Sequence, residues 1–233
     1  MTVRLFRNLV CIGLVATFLA SCSSTHRLYL DSLRLAFRSG PEKSLADIQQ
    51  SNIDLLQLKL GNKNAVFLAL AYIEDNTAKW VSADHAVFVF HHDKLVRTSG
   101  FPNDLLQTSN LTENHLAPAL KPSSSSWQYT LDIANHEYGL PVNATLEASG
   151  SETMEFYGHT FQLQKWVETL QIKPSTPYWD SSYTWENIYL VEPESGYVFY
   201  SEQRASPFTD EMVITYVSRI ARHLKAQEEQ VHE

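Results

Sequence analysis

Apolar residues recur along most of the chain in short runs that are separated by polar turn residues, which is the pattern of β-strands. The run at 65–73 is apolar at odd and even positions alike, as expected of a strand that is covered on both faces. Shorter runs at 79–81, 86–90 and 95–98 follow it, separated by short polar segments. These four segments predict an antiparallel meander.

The second half of the chain continues the strand pattern after a long, poorly patterned connection at 99–126, which we interpret as a surface excursion within one domain. Residues 212–220 form a last strand or a helix. Strands do not alternate regularly with helices, so a parallel α/β sheet is disfavoured. About nine or ten strands therefore predict a mainly β fold: an antiparallel β-barrel, an open half-barrel or a sandwich. The strand signals of this half lie at 127–133, 142–148, 152–157, 161–172, 185–191 and 197–204.

Short helices are predicted before the first strand. Leu30, Leu33 and Phe37 share one helical face, and the sequence from Ser44 to Asp47 has the form of a capping box before a second helix. The sequence therefore predicts a tether with a short helix at 22–43, one mostly β domain at 44–220, and a polar C-terminal tail at 221–233.

The N-terminal segment has the pattern of an export signal. Arg4 and Arg7 precede an uncharged, apolar stretch at 9–20. A helix of this length is about 18 Å long at ~1.5 Å per residue, which is too short for a hydrocarbon core of roughly 30 Å. Residues 1–21 are therefore predicted to be a signal peptide that is removed.

The sequence Leu19-Ala20-Ser21-Cys22 resembles the lipobox of bacterial lipoproteins. The resemblance implies that the chain is cut before Cys22 and that this cysteine carries lipid. Ser23, where an aspartate commonly signals inner-membrane retention, favours the outer membrane if the source is Gram-negative. Cys11 would leave with the signal peptide, which excludes a disulfide. The alternative is an ordinary secretory signal with an incidental cysteine.

The charge balance narrows the possible partners. The chain has 18 basic and 26 acidic residues, and removal of 1–21 takes away Arg4 and Arg7 and none of the acidic residues. This excess of negative charge disfavours both a nucleic-acid partner and general attraction to an acidic polysaccharide. Any contact with a glycan must therefore come from a local site.

Motifs of the common catalytic and cofactor sites are not found. The spacing of the eight glycines excludes G-x-G-x-x-G, the P-loop and G-x-S-x-G. His136-Glu137 lacks the second histidine of a zinc-protease helix. We interpret His91-His92-Asp93, with His85 nearby, as a polar turn and not as a metal site, because adjacent strand residues point to opposite faces. No metal and no cofactor is predicted.

An aromatic stretch at 178–189 is the best candidate for ligand contact. Tyr178, Trp179, Tyr183 and Trp185 have rings that can stack on sugars, and polar residues lie between them. In the alternative interpretation, Trp185 and Tyr189 fill a β core. Asp180 and Glu186 would serve as a glycosidase acid and base only at a suitable separation in space.

Residues 64–98 resemble the opening meander of the YjbF/GfcB family, the group 4 capsule polysaccharide lipoproteins. The resemblance covers about 28–220 and is best at 64–111. It rests on the apolar strand and the acidic turn after it, Lys79-Trp80-Val81, Leu95-Val96, Gly100, Asp104-Leu105, the Trp185 strand, Gly196 and Ser201-Glu202-Gln203.

This resemblance implies a non-enzymatic outer-membrane lipoprotein that faces the periplasm and assists production or export of a capsular polysaccharide or exopolysaccharide. Its expected partners are envelope polysaccharide-export proteins and the polysaccharide itself. The family offers no catalytic residues to carry over; Cys22 is the position transferred. Two alternatives stay open at this point: a periplasmic lipid or lipoprotein carrier that uses a concave β-sheet, and a periplasmic glycan hydrolase.

Overall fold

The computed structural model describes residues 43–111, 124–136, 138–172 and 182–231. Cys22, the helix predicted around Leu33, and the aromatic residues Tyr178 and Trp179 lie outside these ranges.

Within these ranges, twelve antiparallel strands form a single sheet in which almost every strand pairs with its neighbours in the chain. The first five strands are a meander from β5 back to β1, and the last seven are a meander from β12 back to β6. The strands are β1 (Leu55–Leu60), β2 (Val66–Glu74), β3 (Thr77–Val81), β4 (Val87–His91), β5 (Lys94–Ser99), β6 (Leu105–Thr108), β7 (Ser124–Ile133), β8 (Leu140–Phe156), β9 (His159–Ile172), β10 (Tyr183–Val191), β11 (Val198–Gln203) and β12 (Met212–Thr215).

The sheet curls into a nearly closed barrel. The two meanders join where β1 pairs with β12, for example Leu58 opposite Ile214. Side-chain hydrogen bonds bridge the remaining seam between β5 and β6: the Leu105 amide donates to Thr98 Oγ1 at 2.9 Å, and Thr108 Oγ1 donates to the Val96 carbonyl at 3.0 Å. The predicted mainly β, antiparallel class is confirmed, and the barrel is the alternative that the structure adopts.

The strand count differs from the nine or ten that were predicted. The four-residue strand β6 lies within the connection at 99–126, and β1 is buried on both faces, so neither shows clean alternation. The segments at 142–148 and 152–157 are one strand, β8, which is interrupted by a bulge between Ala148 and Ser151. A bulge inserts extra residues into a strand and breaks the period on which the sequence interpretation rests.

Two helices of the described part of the chain pack on the outside of the barrel. Helix α1 (Leu45–Gln49) has the predicted capping box, with the Asp47 amide donating to Ser44 Oγ and the Ser44 amide donating to Asp47 Oδ2. Helix α2 (Val217–Val231) follows β12 directly. The sequence pattern predicts a polar tail from residue 221, but the structure continues α2 to Val231.

The buried side chains of α2 explain why this segment is helical. Val217, Ile220, Ala221 and Leu224 are buried and follow the i, i+3, i+4, i+7 spacing of one helical face. This face covers outward-pointing apolar residues of the barrel strands. The covered residues include Leu55, Phe67, Ala69, Phe161, Leu163, Leu190 and Phe199.

The antiparallel topology gives the barrel two ends of different character. At the helical end, α2 begins after Tyr216, and the strands are joined by the short connections at 75–76, 92–93, 157–158 and 192–197. At the opposite end, which we call the open end, lie the β1–β2, β3–β4, β5–β6 and β11–β12 loops. Between the ends, the barrel interior is packed with large side chains, among them Trp80, Trp127, Trp166 and Tyr189.

Candidate functional site

A pocket of about 280 Å³ opens at the open end of the barrel. Three loops enclose it: the β1–β2 loop, the β5–β6 loop and the β11–β12 loop. Its walls combine apolar and polar side chains. The lining residues are Leu60, Lys63, Thr98, Phe101, Pro102, Asn103, Ala205, Phe208, Thr209, Asp210 and Met212.

The β5–β6 loop is held by the carboxylate of Asp104. This carboxylate accepts hydrogen bonds from Thr98 Oγ1 at 2.8 Å and from the amides of Gly100 and Phe101 at 3.0 and 3.2 Å. Gly100 has a φ of +111°, and a Cβ there would lie 3.3 Å from the Ala86 backbone, so glycine suits both the conformation and the space. The loop thus presents Phe101 as a fixed wall of the pocket.

The β11–β12 loop, residues 204–211, is held from below by β10. Asn187 Oδ1 accepts a hydrogen bond from the Arg204 amide at 2.8 Å, and Trp185 Nε1 donates to the Arg204 carbonyl at 3.2 Å. Inside the loop, Ser206, which is fully buried, exchanges hydrogen bonds with Thr209. The loop is therefore preorganised before any ligand arrives.

A cluster of three aromatic side chains lies at the rim of the pocket. His136 stacks on Phe208 with ring centroids 5.1 Å apart and 12° between the planes, and Tyr183 meets Phe208 edge-on at 5.2 Å. Phe208 is nonetheless 39% exposed. Exposed aromatic side chains beside a pocket are a feature of ligand sites.

Polar side chains with no protein partner converge on the same pocket. Within the part of the chain that the structure describes, the side chains of Lys63, Asn103 and Asp210 make no hydrogen bond or ion pair. Between them they offer donors and acceptors to a ligand. Asp210 lies against Gly61, where an added Cβ would be 3.4 Å from its Cγ.

The aromatic stretch predicted to contact glycan is divided by the structure. Tyr183 lies at the rim of the pocket, half-buried against Phe208. Trp185 is 7% exposed and belongs to the barrel core with Tyr189, so the alternative core interpretation holds for these two residues and Trp185 is not available for stacking on a sugar. Tyr178 and Trp179 lie outside the described residues, as does Asp180.

Pattern analysis missed Phe208 and His136 as candidates, because both lie in loops without periodicity. The signals that were available are Gly100 and Asp104, which carry part of the family resemblance. The structure shows that both residues shape the β5–β6 wall of the pocket.

A second polar cluster, which the sequence reasoning also missed, is buried inside the barrel. Lys94 forms an ion pair with Glu168, and the two residues are 4% and 0% exposed. The second carboxylate oxygen of Glu168 accepts hydrogen bonds from Asn187 Nδ2 at 3.1 Å and from the Tyr189 hydroxyl at 3.0 Å. The Lys94 ammonium also lies over the ring of Tyr129, 4.4 Å from its centroid.

Burial controls the ionisation of this cluster. Burial lowers the pKa of Lys94, while the Glu168 carboxylate opposes that shift. Burial also raises the pKa of Tyr129 and Tyr189 well above 10, and the negative charge of Glu168 adds to this rise, so both phenols stay neutral. The cluster is sealed from solvent, and it ties β5 to β9 and β10.

His92 and Asp93 form the turn between β4 and β5, directly before Lys94. Both residues have positive φ, as in the two-residue turns that suit a β-hairpin. Gln203 Nε2 donates to the Asp93 carbonyl, and Arg219 of α2 forms a two-pronged ion pair with the Asp93 carboxylate at 2.9 and 3.0 Å. The segment is thus a structural turn that docks the hairpin on α2.

Within the described ranges, no three His, Cys, Asp or Glu side chains come together in a way that could hold a metal ion. No helix among these residues is long and apolar enough to cross a membrane.

The Asp104 hydrogen bonds give a prediction for stability. Replacing Asp104 with alanine leaves two loop amides and the Thr98 hydroxyl without their acceptor, so we expect the free energy of unfolding to fall by about 2 kcal/mol. Guanidinium unfolding of the full chain purified in detergent measures it. Asp132→Ala is the matched control, because Asp132 accepts one amide hydrogen bond, from Gly139, and should cost below about 1 kcal/mol. Equal losses in the two variants would contradict the role of Asp104.

Comparison with known proteins identifies relatives that match most of the chain. The chain is 28% identical over 198 residues to the uncharacterised lipoprotein GfcB of Escherichia coli K12, covering 82% of this chain and 89% of GfcB. It is 26% identical over 195 residues to the uncharacterised lipoprotein YjbF of the same strain, covering 82% of this chain and 88% of YjbF.

A solved structure shows the same fold. The crystal structure of the hypothetical lipoprotein YmcC from Escherichia coli K12 superposes with a TM-score of 0.69 at 24% identity, covering 79% of this chain and 92% of YmcC. The family model described as group 4 capsule polysaccharide lipoprotein GfcB, YjbF, matches residues 30–217, which contain every strand of the barrel and all three loops of the pocket. The chain therefore belongs to the YjbF family of group 4 capsule polysaccharide lipoproteins.

Proposed function

We propose that this protein is an accessory lipoprotein of the outer membrane that faces the periplasm and assists the production or export of a capsular polysaccharide or exopolysaccharide. The observation that carries the proposal is the family match over residues 30–217. The protein acts without catalysing a reaction, by docking to polymer-export proteins and by contact with the polymer.

The composition of the pocket supports a binding role over hydrolysis. Glycosidases generally place two carboxyl groups about 5–9.5 Å apart on either side of the bond that they cleave. Among the described residues that line the pocket, Asp210 is the one carboxylate. Two other acids lie in the same loops: Asp104 has its carboxylate committed to Thr98 and to two backbone amides, and Glu211 pairs with Arg204 at 3.4 Å.

The packing of the barrel favours the same proposal over a lipid carrier. A carrier needs an open concave face or a cavity for acyl chains. Here the inner face of the sheet carries large, buried side chains from opposite walls that pack on one another. They include Phe90, Leu131, Leu146, Trp166 and Tyr189.

We propose that lipid on Cys22 attaches the protein to the membrane. Residues 23–42, which connect this cysteine to the described domain, span at most about 70 Å when extended. One acyl chain anchors a protein only marginally, so the multiple chains of a mature lipoprotein are what would make attachment durable. The barrel would then work within a defined distance of the membrane surface.

Substitution of Cys22 tests the proposed anchoring and function together. We expect Cys22→Ala to abolish incorporation of labelled lipid, to release the protein from the membrane fraction, and to lower surface polymer strongly, while the released domain still folds. Labelling, fractionation and polymer staining are compared in cells that carry the variant as their sole copy.

Cys11→Ala is the matched control, because Cys11 lies in the segment that is predicted to be removed; it should leave lipid incorporation and polymer unchanged. Normal surface polymer with Cys22→Ala would contradict the proposal that the anchored protein assists its production or export. Retained lipid labelling would contradict the assignment of Cys22.

A further inference from the structure

We propose that the pocket at the open end of the barrel binds one uncharged sugar residue of a polysaccharide chain, with Phe208 as the stacking platform. This assignment rests on the function proposed above and names the ligand class of that function. It places the glycan contact on the β11–β12 and β5–β6 loops instead of on Trp185.

The first support is the geometry of the aromatic group. The ring of His136 stacks nearly parallel to that of Phe208, at 12° and 5.1 Å, and Tyr183 contacts the Phe208 ring edge-on, so the plane of Phe208 is fixed from two sides. Phe208 lines the pocket, and 39% of the residue is exposed. The C–H face of a pyranose ring is an apolar surface that matches such a platform.

The second support is the chemistry of the free polar groups. A sugar hydroxyl both donates and accepts hydrogen bonds. Lys63 supplies donors, Asp210 supplies acceptors, and the Asn103 amide supplies both. Because none of these three side chains has a protein partner in the described structure, a ligand displaces water from them and breaks no hydrogen bond within the protein.

The size of the pocket selects a single ring. A volume of about 280 Å³ is just below the usual range of ligand pockets, which runs roughly from 300 to 1,000 Å³. A pocket this small has room for a single sugar ring and not for several linked rings. A longer chain must therefore continue over the rim.

Charge selects an uncharged sugar. The pocket walls carry one cation, Lys63, and one anion, Asp210, so the site has no local excess of positive charge. The chain as a whole has a net charge of −8. This field disfavours an acidic sugar and leaves stacking and hydroxyl recognition as the sources of affinity.

The loops around the pocket are preorganised, which lowers the entropy cost of binding. Asp104 holds the β5–β6 loop, and Asn187 with Trp185 holds the start of the β11–β12 loop. The Gly61 amide donates to the Glu211 carbonyl at 2.8 Å and joins the β1–β2 loop to the β11–β12 loop. Because these loops are already ordered, little of the binding free energy is lost in ordering them when a ligand binds.

The test is a titration of the full chain in detergent with neutral hexaoses of glucose, mannose, galactose and N-acetylglucosamine, and with hexagalacturonate as an acidic probe. Isothermal calorimetry reports the binding. We expect at least one neutral hexaose to bind with a Kd in the millimolar range, and Phe208→Ala to weaken that binding about tenfold or more. Asp210→Asn and Asn103→Ala should weaken it less.

Tyr72→Ala is the matched control, because Tyr72 is 52% exposed but lies on β2 toward the helical end; it should leave the affinity unchanged. Circular dichroism and the unfolding midpoint show whether Phe208→Ala remains folded. Absence of binding by every neutral hexaose, preference for hexagalacturonate, or equal affinity in Phe208→Ala and wild type would overturn the assignment.

Surface polymer measured in the Phe208→Ala strain separates this inference from the proposed function. Lost hexaose binding together with reduced polymer supports both. Reduced polymer without any hexaose binding to the wild type would mark the pocket as a docking site for a protein and overturn the saccharide assignment, while the proposed function stands. Hexaose binding with normal polymer in Cys22→Ala would leave the saccharide site standing and contradict the proposed function.

Discussion

Replacing Lys94 with methionine is expected to lower the free energy of unfolding by about 3–5 kcal/mol, because Glu168 would be left charged and unpaired inside the barrel. Glu168 is fully buried, and its remaining partners, Asn187 and Tyr189, donate to the same carboxylate oxygen. Neither partner carries a positive charge. The loss should appear as a lower midpoint in guanidinium unfolding of the full chain in detergent.

Neutralising both partners should restore much of this stability. In Lys94→Met with Glu168→Gln, the glutamine carbonyl still accepts the hydrogen bonds from Asn187 and Tyr189, and no buried charge remains. We therefore expect the double variant to be more stable than Lys94→Met alone. Such non-additivity is the signature of a coupled buried pair.

The single variant Glu168→Gln should acquire a distinct pH dependence. Burial lowers the pKa of Lys94, and removing the carboxylate takes away the interaction that opposes this shift. Between the folded pKa and the higher unfolded pKa, the unfolded chain binds more protons than the folded chain, so stability rises with pH. Unfolding midpoints measured from pH 7 to pH 10 should increase more steeply in this variant than in the wild type.

The ion pair of Lys165 with Glu152 provides the matched control. It joins β9 to β8 at 3.2 Å, but its side chains are 29% and 44% exposed. Lys165→Met should change the free energy of unfolding by at most about 1 kcal/mol. If Lys94→Met costs no more than Lys165→Met, the energetic role that we assign to the buried pair is wrong.

Short-range signals account for the part of the fold that the sequence predicts. The turn at Asp75 and Asn76 is an example: both residues adopt positive φ, which Asp and Asn tolerate, and they join β2 to β3 as expected. The capping box at Ser44 is another, because its two hydrogen bonds depend on residues three apart. Each of these structures depends only on residues that are close together in the sequence, so the local sequence is enough to predict it.

Long-range contacts account for what the sequence does not reveal. Lys94 and Glu168 are 74 residues apart, and the sequence around either residue does not indicate that the two form a pair. The sequence does show that Glu168 alternates along β9 with the apolar residues Trp166 and Leu170. This places a charged residue on the core face of the strand. Parity shows that such a residue needs a partner, but it does not show which one.

The candidate site illustrates a second limit. Tyr183 and Trp185 have the same parity on β10 and point to the same side of the sheet. Their different roles arise from position along the barrel axis: Tyr183 begins the strand at the open end, and Trp185 lies one step deeper, beneath the β11–β12 loop. Strand periodicity gives the face of a residue and not its depth.

Substitution of these two residues should separate the roles. Trp185→Ala is expected to lower the free energy of unfolding by about 3–5 kcal/mol, because it removes a large ring that is 7% exposed and the hydrogen bond from Nε1 to the Arg204 carbonyl. Tyr183→Ala removes a half-buried ring at the rim, so its cost should be smaller, about 1 kcal/mol. Guanidinium unfolding of both variants gives the comparison.

Trp185→Phe keeps most of the apolar ring and removes the N–H donor, so it should retain more of the stability than Trp185→Ala while loosening the Arg204 end of the β11–β12 loop. Hydrogen exchange at the amides of 204–211 should therefore accelerate more in Trp185→Phe than in Tyr183→Ala. A stability change below about 1 kcal/mol for Trp185→Ala would contradict the core position, since a ring that merely contacts ligand adds little to the folding of the free protein.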